Sequence, residues 1–123
     1  MLRAAAGPSL FAAAAEAFFS LVADPTAVRA GERYELTGEA GDLGALLVDW
    51  MNDLVWIVEG LGALCSEFTF DEWSETAYRA SAFGERIDAD RHEFRGVVKA
   101  ATYHGLEVHS REGGYEARVI LDV

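Results

Sequence analysis

Two carboxylates close the chain: the side chain of Asp122 and the α-carboxylate of Val123. Hard oxygen donors gathered at one point suit Ca²⁺, Mg²⁺ or Mn²⁺. A hairpin is the element that would gather them. Glu112-Gly113-Gly114 separates two alternating apolar stretches, and a Gly-Gly turn supplies the positive φ angles a tight hairpin needs. With Gly113 and Gly114 as loop residues, Leu106 faces Leu121 and Val108 faces Val119, two apolar pairs on one side. Asp122 then lies opposite Gly105, with Tyr103 and Glu107 as diagonal neighbours and no bulky side chain in the way. The bland alternative is a frayed end with solvated charges.

Lys99 and Tyr103 share the Asp122 face by alternation. Lys99 stands six residues before Gly105, about 20 Å in an extended strand at ~3.3 Å per residue. It reaches Asp122 only if the chain bends; otherwise it serves a separate contact or the surface. His104 falls on the core side with Leu106 and Val108 and reads as structural. His92, in the charged run D-R-H-E-F, could act as a base, yet no nucleophile accompanies it. Asp49 and Asp53 are four apart and share one side of a helix. Trp56 projects beside them, either as an interface anchor for a basic partner or covered by another strand or the 84–96 loop. Trp73, placed in a loop after a strand, is equally open. Phosphate-loop, dinucleotide, nucleophile-elbow and H-E-x-x-H zinc patterns are all missing.

The elements that must position these residues follow from periodicity. Ser9 caps a first helix, whose face holds Leu10, Phe11, Ala14, Phe18, Leu21 and Val22, with Asp24-Pro25 ending it. Residues 33–39 alternate as a short strand. Asp42 caps a second helix that ends at Gly60, its stripe being Leu43, Leu46, Leu47, Trp50, Met51, Leu54 and Val58. Residues 64–71 and 76–83 read as strands, 84–96 as an exposed loop, and 97–110 with 115–122 as the hairpin. The order predicts an α+β fold, two helices packed on one face of a mostly antiparallel sheet, in one domain over 1–123.

The composition bounds the rest. Ten Lys+Arg against 21 Asp+Glu give a net charge of −11. A surface this acidic repels phosphate backbones, which argues against direct, tight nucleic-acid binding and for a basic protein partner or a divalent cation. The single Cys65 excludes an internal disulfide and a thiolate zinc site and fits a reducing, cytoplasmic setting. The apolar tract 43–64 is broken by Asp49, Asn52, Asp53 and Glu59, so no membrane span is expected. The alanine-rich start is read as a helix rather than a signal peptide, because Pro8 comes early and Glu16 interrupts it.

Five blocks carry a resemblance. S-L-x(5)-E-A from Ser9 to Ala17, L-L-V-D-W-M-N-D-L at 46–54, D-x-D-R-H-E-F at 88–94, V-K-A-A-T-Y-H-G-L-E-V at 98–108 and A-R-V-I-L-D-V at 117–123 resemble the archease family in order and over nearly the whole chain. The resemblance implies a non-catalytic activator of a GTP-dependent RNA ligase. Such a ligase joins a 3′-phosphate or 2′,3′-cyclic phosphate to a 5′-hydroxyl in tRNA splicing, and the activator promotes its guanylylation and turnover. A link to tRNA methylation is also implied. The family's metal-binding carboxylate corresponds to Asp122, with Val123 alongside, and its functional lysine to Lys99. The family's usual opening strand with H-T-A-D has no counterpart in a sequence beginning Met1-Leu2-Arg3-Ala4. A histidine and an aspartate of the cation site are then missing, and an open sheet edge would invite self-association. Two rivals remain: a metal-dependent phosphoester hydrolase using Asp122, His92 and Glu107, and a pure interaction module built on Trp56, Asp49 and Asp53.

Overall fold

The structure, a computed structural model, describes residues 2–122. Its elements are β1 (Leu2–Ala4), α1 (Gly7–Val22), β2 (Glu32–Glu39), α2 (Leu43–Glu59), β3 (Ala63–Trp73), β4 (Ala77–Arg86), β5 (Ala100–Arg111) and β6 (Gly114–Asp122), with a 3₁₀ turn at Pro25–Ala27. The α+β expectation holds, with the strands divided into two antiparallel three-stranded sheets, ordered β1-β6-β5 and β2-β4-β3. Both helices pack on both sheets: α1 on β3, β1 and β6, and α2 on β5, β2 and β3.

A helix flanked on two sides must be apolar over a wide arc. That is why α2 buries Val48 and Ile57 in addition to Leu46, Leu47, Trp50, Met51 and Leu54. Trp50 is wholly buried at the centre. Its indole N–H donates to the Phe11 carbonyl at 2.9 Å, and its ring meets Phe11, Phe68, Phe70 and Tyr78. The ends of α2 are those the sequence predicts. The Asp42 side chain accepts from the Ala45 N–H at 2.8 Å, and Gly60 is the C-cap.

The start of the chain differs. Residues 2–4 form a strand paired with 115–117, and the cap of α1 is Ala6, with no side-chain bond, rather than Ser9. Proline in the first turn needs no N–H and fits there. Gly7 precedes it because Trp73 lies against its backbone; a Cβ there would sit 2.0 Å from the indole. Trp73 therefore ends β3 instead of lying in a loop, packed on Phe11 and Tyr115. On α1, Leu21 is exposed while Ala15 and Phe19 are buried.

The hairpin turn also departs from the expected register. Arg111 pairs with Gly114, so the loop residues are Glu112 and Gly113, and Val108 faces Ala117. Farther along, Thr102 pairs with Ile120 but Glu107 with Arg118. Four residues, Tyr103 to Leu106, thus face Val119 alone. Two local features build this bulge. The Thr102 hydroxyl accepts the His104 N–H at 2.8 Å, and Gly105 takes φ +69°, a conformation open to glycine at little cost. A Cβ at Gly105 would also meet Ile120 Cδ1 at 2.4 Å. Gly105→Ala is expected to destabilise the protein by about 1–2 kcal/mol, the usual cost of forcing an L-residue left-handed; urea unfolding measures it.

Candidate functional site

The bulge decides where the candidate residues meet. By taking up three extra residues it slides the start of β5 along β6. Ala100, not Gly105, faces Asp122. The Lys99 N–H donates to the Asp122 carbonyl at 2.7 Å. Lys99 and Asp122, far apart in a regular hairpin, are backbone neighbours here, and both are exposed; with Ala100 opposite Asp122, alternation turns Lys99 to the other face, so the expected shared face is not kept. Neither side chain has a hydrogen-bond or ion-pair partner among the described residues.

The shifted turn and the bulge together remove the other expected members. Glu107 faces Arg118, four positions from Asp122 on β6, and Tyr103 projects from the bulge, 61% exposed. His104, expected on the core side, is exposed too, because the bulge breaks the alternation. Val123 lies outside the described residues. Among the described residues no three His, Cys, Asp or Glu side chains gather. Asp122 is a lone side-chain carboxylate, and one monodentate donor is too little for a divalent cation that takes six or more oxygens.

Two devices hold the Lys99 end of β5 in place. The first is Asn52 on α2. Its amide oxygen accepts the Ala101 N–H at 2.8 Å, and its amide NH₂ donates to the Ala101 carbonyl at 3.4 Å. β5 is a sheet edge, so Ala101 would otherwise leave both groups unpaired with only 7% of the residue exposed. Asn52 stands in for the missing next strand. It lies inside L-L-V-D-W-M-N-D-L, where its polarity amid apolar residues was the available signal.

The second is the segment 87–99: the expected 84–96 loop begins after β4 ends at Arg86, and it is largely exposed as expected but tied down at several points. The Ile87 N–H donates to the Gly62 carbonyl at 2.9 Å and the Arg95 N–H to Val22 at 2.7 Å. Arg91 donates to the Ala27 carbonyl at 2.8 Å and pairs with Glu85 of β4, which also accepts the Arg29 N–H. His92 is buried. Its Nδ1 accepts the Asp88 N–H at 2.9 Å, and its Nε2 stands 3.5 Å from Glu85 with no hydrogen-bond partner. The hydrolase trio is therefore not assembled. His92 faces Glu85 inside the protein, while Asp122 and Glu107 lie exposed on the other sheet.

Burial, with help from the Arg91 charge, holds the His92 imidazole below its ordinary pKa, against the opposing pull of Asp88. The folded state thus prefers neutral His92 more than the unfolded chain does. Its contribution is complete above the unfolded value near 6.5 and is lost as pH falls toward the lowered value. The melting temperature is expected to be flat above about pH 7 and to fall below about 6.5. His92→Asn, which keeps an acceptor for Asp88, should flatten that fall in a pH series of thermal melts.

The expected acidic face on α2 divides in the same way. Tyr78 of β4 donates to the Asp53 carboxylate, and burial with nearby Asp49 holds Asp53 above the ordinary carboxylate range. Asp53 serves the packing of α2 on β4. Trp56 is left 51% exposed and is not covered by a strand or by the 84–96 segment.

Taken together, this is a two-helix α+β domain in which exposed Lys99 and Asp122 are joined through their backbones at a sheet end, with no catalytic trio assembled around them among the described residues. Its sequence matches the profile described as the Archease protein family (MTH1598/TM1083) over residues 2–123; the chain belongs to the archease family. It is 38% identical to the protein archease of Methanopyrus kandleri over 117 residues, covering 93% of this chain and 84% of that one. It is also 38% identical to that of Methanothermobacter thermautotrophicus over 119 residues, with 93% and 83% covered. The solution structure of Methanobacterium thermoautotrophicum protein 1598 superposes with a TM-score of 0.65 at 35% identity, covering 92% of this chain and 82% of that one. Among the described residues no helix is long and apolar enough to cross a membrane.

Proposed function

We propose that this chain is a non-catalytic activator of a GTP-dependent RNA ligase that joins 3′-phosphate or 2′,3′-cyclic phosphate ends to 5′-hydroxyl ends in tRNA splicing, and that it promotes guanylylation and turnover of the ligase. The observation that carries this reading is the register shift that sets Lys99 beside Asp122. A strand needs no four-residue bulge for stability. This one costs ladder bonds and brings the backbone of an exposed cation, Lys99, against that of an exposed anion, Asp122.

The roles follow from chemistry. The Lys99 ammonium is a compact point charge with three donors on a flexible stem, suited to a phosphate oxygen or a carboxylate of the partner. Asp122 accepts hydrogen bonds and pairs with a basic group. The net charge of −11 steers the chain toward the basic RNA-binding face of a ligase and away from RNA itself. A divalent cation would be held by Asp122 together with the Val123 carboxylate, and no step of the reading depends on it.

The test is single-turnover guanylylation of the ligase with and without the chain, alongside the chain alone on a phosphoester. Acceleration of the ligase and no turnover by the chain alone are expected. An unaccelerated ligase overturns the reading.

A further inference from the structure

We propose that Trp56 is the apolar anchor of the surface that carries Lys99 and Asp122, docking in an apolar pocket rimmed by basic groups on the partner that this surface engages. The inference rests on the ligase-activator reading for the identity of that partner.

The placement follows from the clamp. α2 runs antiparallel to β5: a Cβ on Gly44, at its start, would touch Leu106, and Asn52, two turns later, holds Ala101. Trp56 is one turn beyond Asn52, about 6 Å farther along the helix at 1.5 Å per residue. Lys99 is two residues beyond Ala101 in the same direction, about 6.6 Å along the strand. At about 100° per residue, Trp56 stands only about 40° around the helix from Asn52. The indole therefore projects on the β5 side, level with Lys99, whose N–H is bonded to Asp122.

The other two tryptophans have structural work. Trp50 is wholly buried and bonded to Phe11, and Trp73 packs on Gly7 and Phe11. Trp56 is 51% exposed, and its indole N–H has no hydrogen bond among the described residues. Gly60 seats the ring, since a Cβ there would lie 2.6 Å from it. A large, rigid ring held in place and left in water, on the side of the fold that carries exposed Lys99, has the composition of a binding hot spot: aromatic residues concentrate there and lose little entropy on binding. Charge complementarity selects the partner. The ring belongs to a chain of net charge −11, so a rim of Arg or Lys suits it.

The test is ligase guanylylation titrated with wild type, Trp56→Ala and Trp56→Phe, with thermal melts of each. Trp56→Ala is expected to raise the concentration for half-maximal acceleration at least tenfold, about the loss of a typical aromatic hot spot, with the plateau rate kept. Trp56→Phe should lie between. Melting temperatures should be unchanged, because the ring is outside the core. If wild type accelerates and Trp56→Ala has the same half-maximal concentration, the anchor is refuted while the activator reading stands. If Trp56→Ala instead turns a dimer of the chain into a monomer in sedimentation, with activation unchanged, the anchor serves a second copy and the inference is overturned. If wild type gives no acceleration, the activator reading fails, and this inference with it.

Discussion

Lys99→Ala and Asp122→Ala are each expected to cut the acceleration of ligase guanylylation by roughly ten- to a hundredfold at saturating concentration. That is the worth of one charge-assisted hydrogen bond of about 1.5–3 kcal/mol. Their thermal stability should stay within about 0.5 kcal/mol of wild type, because both side chains are exposed and unpaired. The separation of the two effects is informative. A residue that served the fold would lower both activity and melting temperature. Lys99→Arg should restore little if Lys99 meets a compact site, since the guanidinium is broader and binds as a planar fork. The readout is the rate of covalent nucleotide incorporation into the ligase at a fixed excess of each variant.

The largest loss of stability is expected at the other end of the logic, in Trp50→Ala. Trp50 is wholly buried and touches four aromatic rings from α1, β3 and β4, so its removal opens a cavity where the helices and the β2-β4-β3 sheet converge. Truncations of this kind cost about 3–5 kcal/mol, which corresponds to a fall in melting temperature on the order of 15 °C for a chain of this length. Trp50→Phe separates cavity from hydrogen bond. It keeps a ring but leaves the Phe11 carbonyl without its indole donor, at a cost of about 1–2 kcal/mol. Trp56→Ala, by contrast, should fall within about 0.5 kcal/mol of wild type. Two tryptophans six residues apart on one helix thus have opposite expected effects on stability, and denaturant unfolding of the three variants measures them.

The contrast also shows what could be read from sequence. The ends of α2 and most of its apolar stripe were legible because local physics sets them: the 3.6 period, a capping Asp42 and a stopping Gly60 all agree, whereas Val48 and Ile57 are buried by packing on a second side. The hairpin was legible as a hairpin but not in its register. Alternation assumes a regular ladder, and a bulge hidden inside V-K-A-A-T-Y-H-G-L-E-V breaks that assumption. The signal was present: a glycine within a strand pattern marks a bulge, and Thr102 two residues before His104 offers a local acceptor. The turn one residue earlier than expected shifts the register by two positions and the bulge at Gly105 by three more, so Asp122 faces Ala100 rather than Gly105.

Other features had no local signature. His92 sits between Arg91 and Glu93, and nothing in that polar run discloses that its imidazole turns inward to Asp88 and Glu85. Asn52 meets Ala101 across 49 residues of chain, a distance at which spacing carries no information. Long-range polar contacts of this kind are the ones that hold Lys99 in place. The two candidate residues could therefore be named from sequence, but their placement could not.

The central claim is that the bulge joins Lys99 and Asp122 into one functional unit. The measurement that tests it most directly is a double-mutant cycle of Lys99→Ala and Asp122→Ala, read as the rate of ligase guanylylation at saturating activator. The double variant is expected to lose no more than the worse single variant, a coupling of at least tenfold. Losses that multiply, as for two independent sites, would contradict the claim.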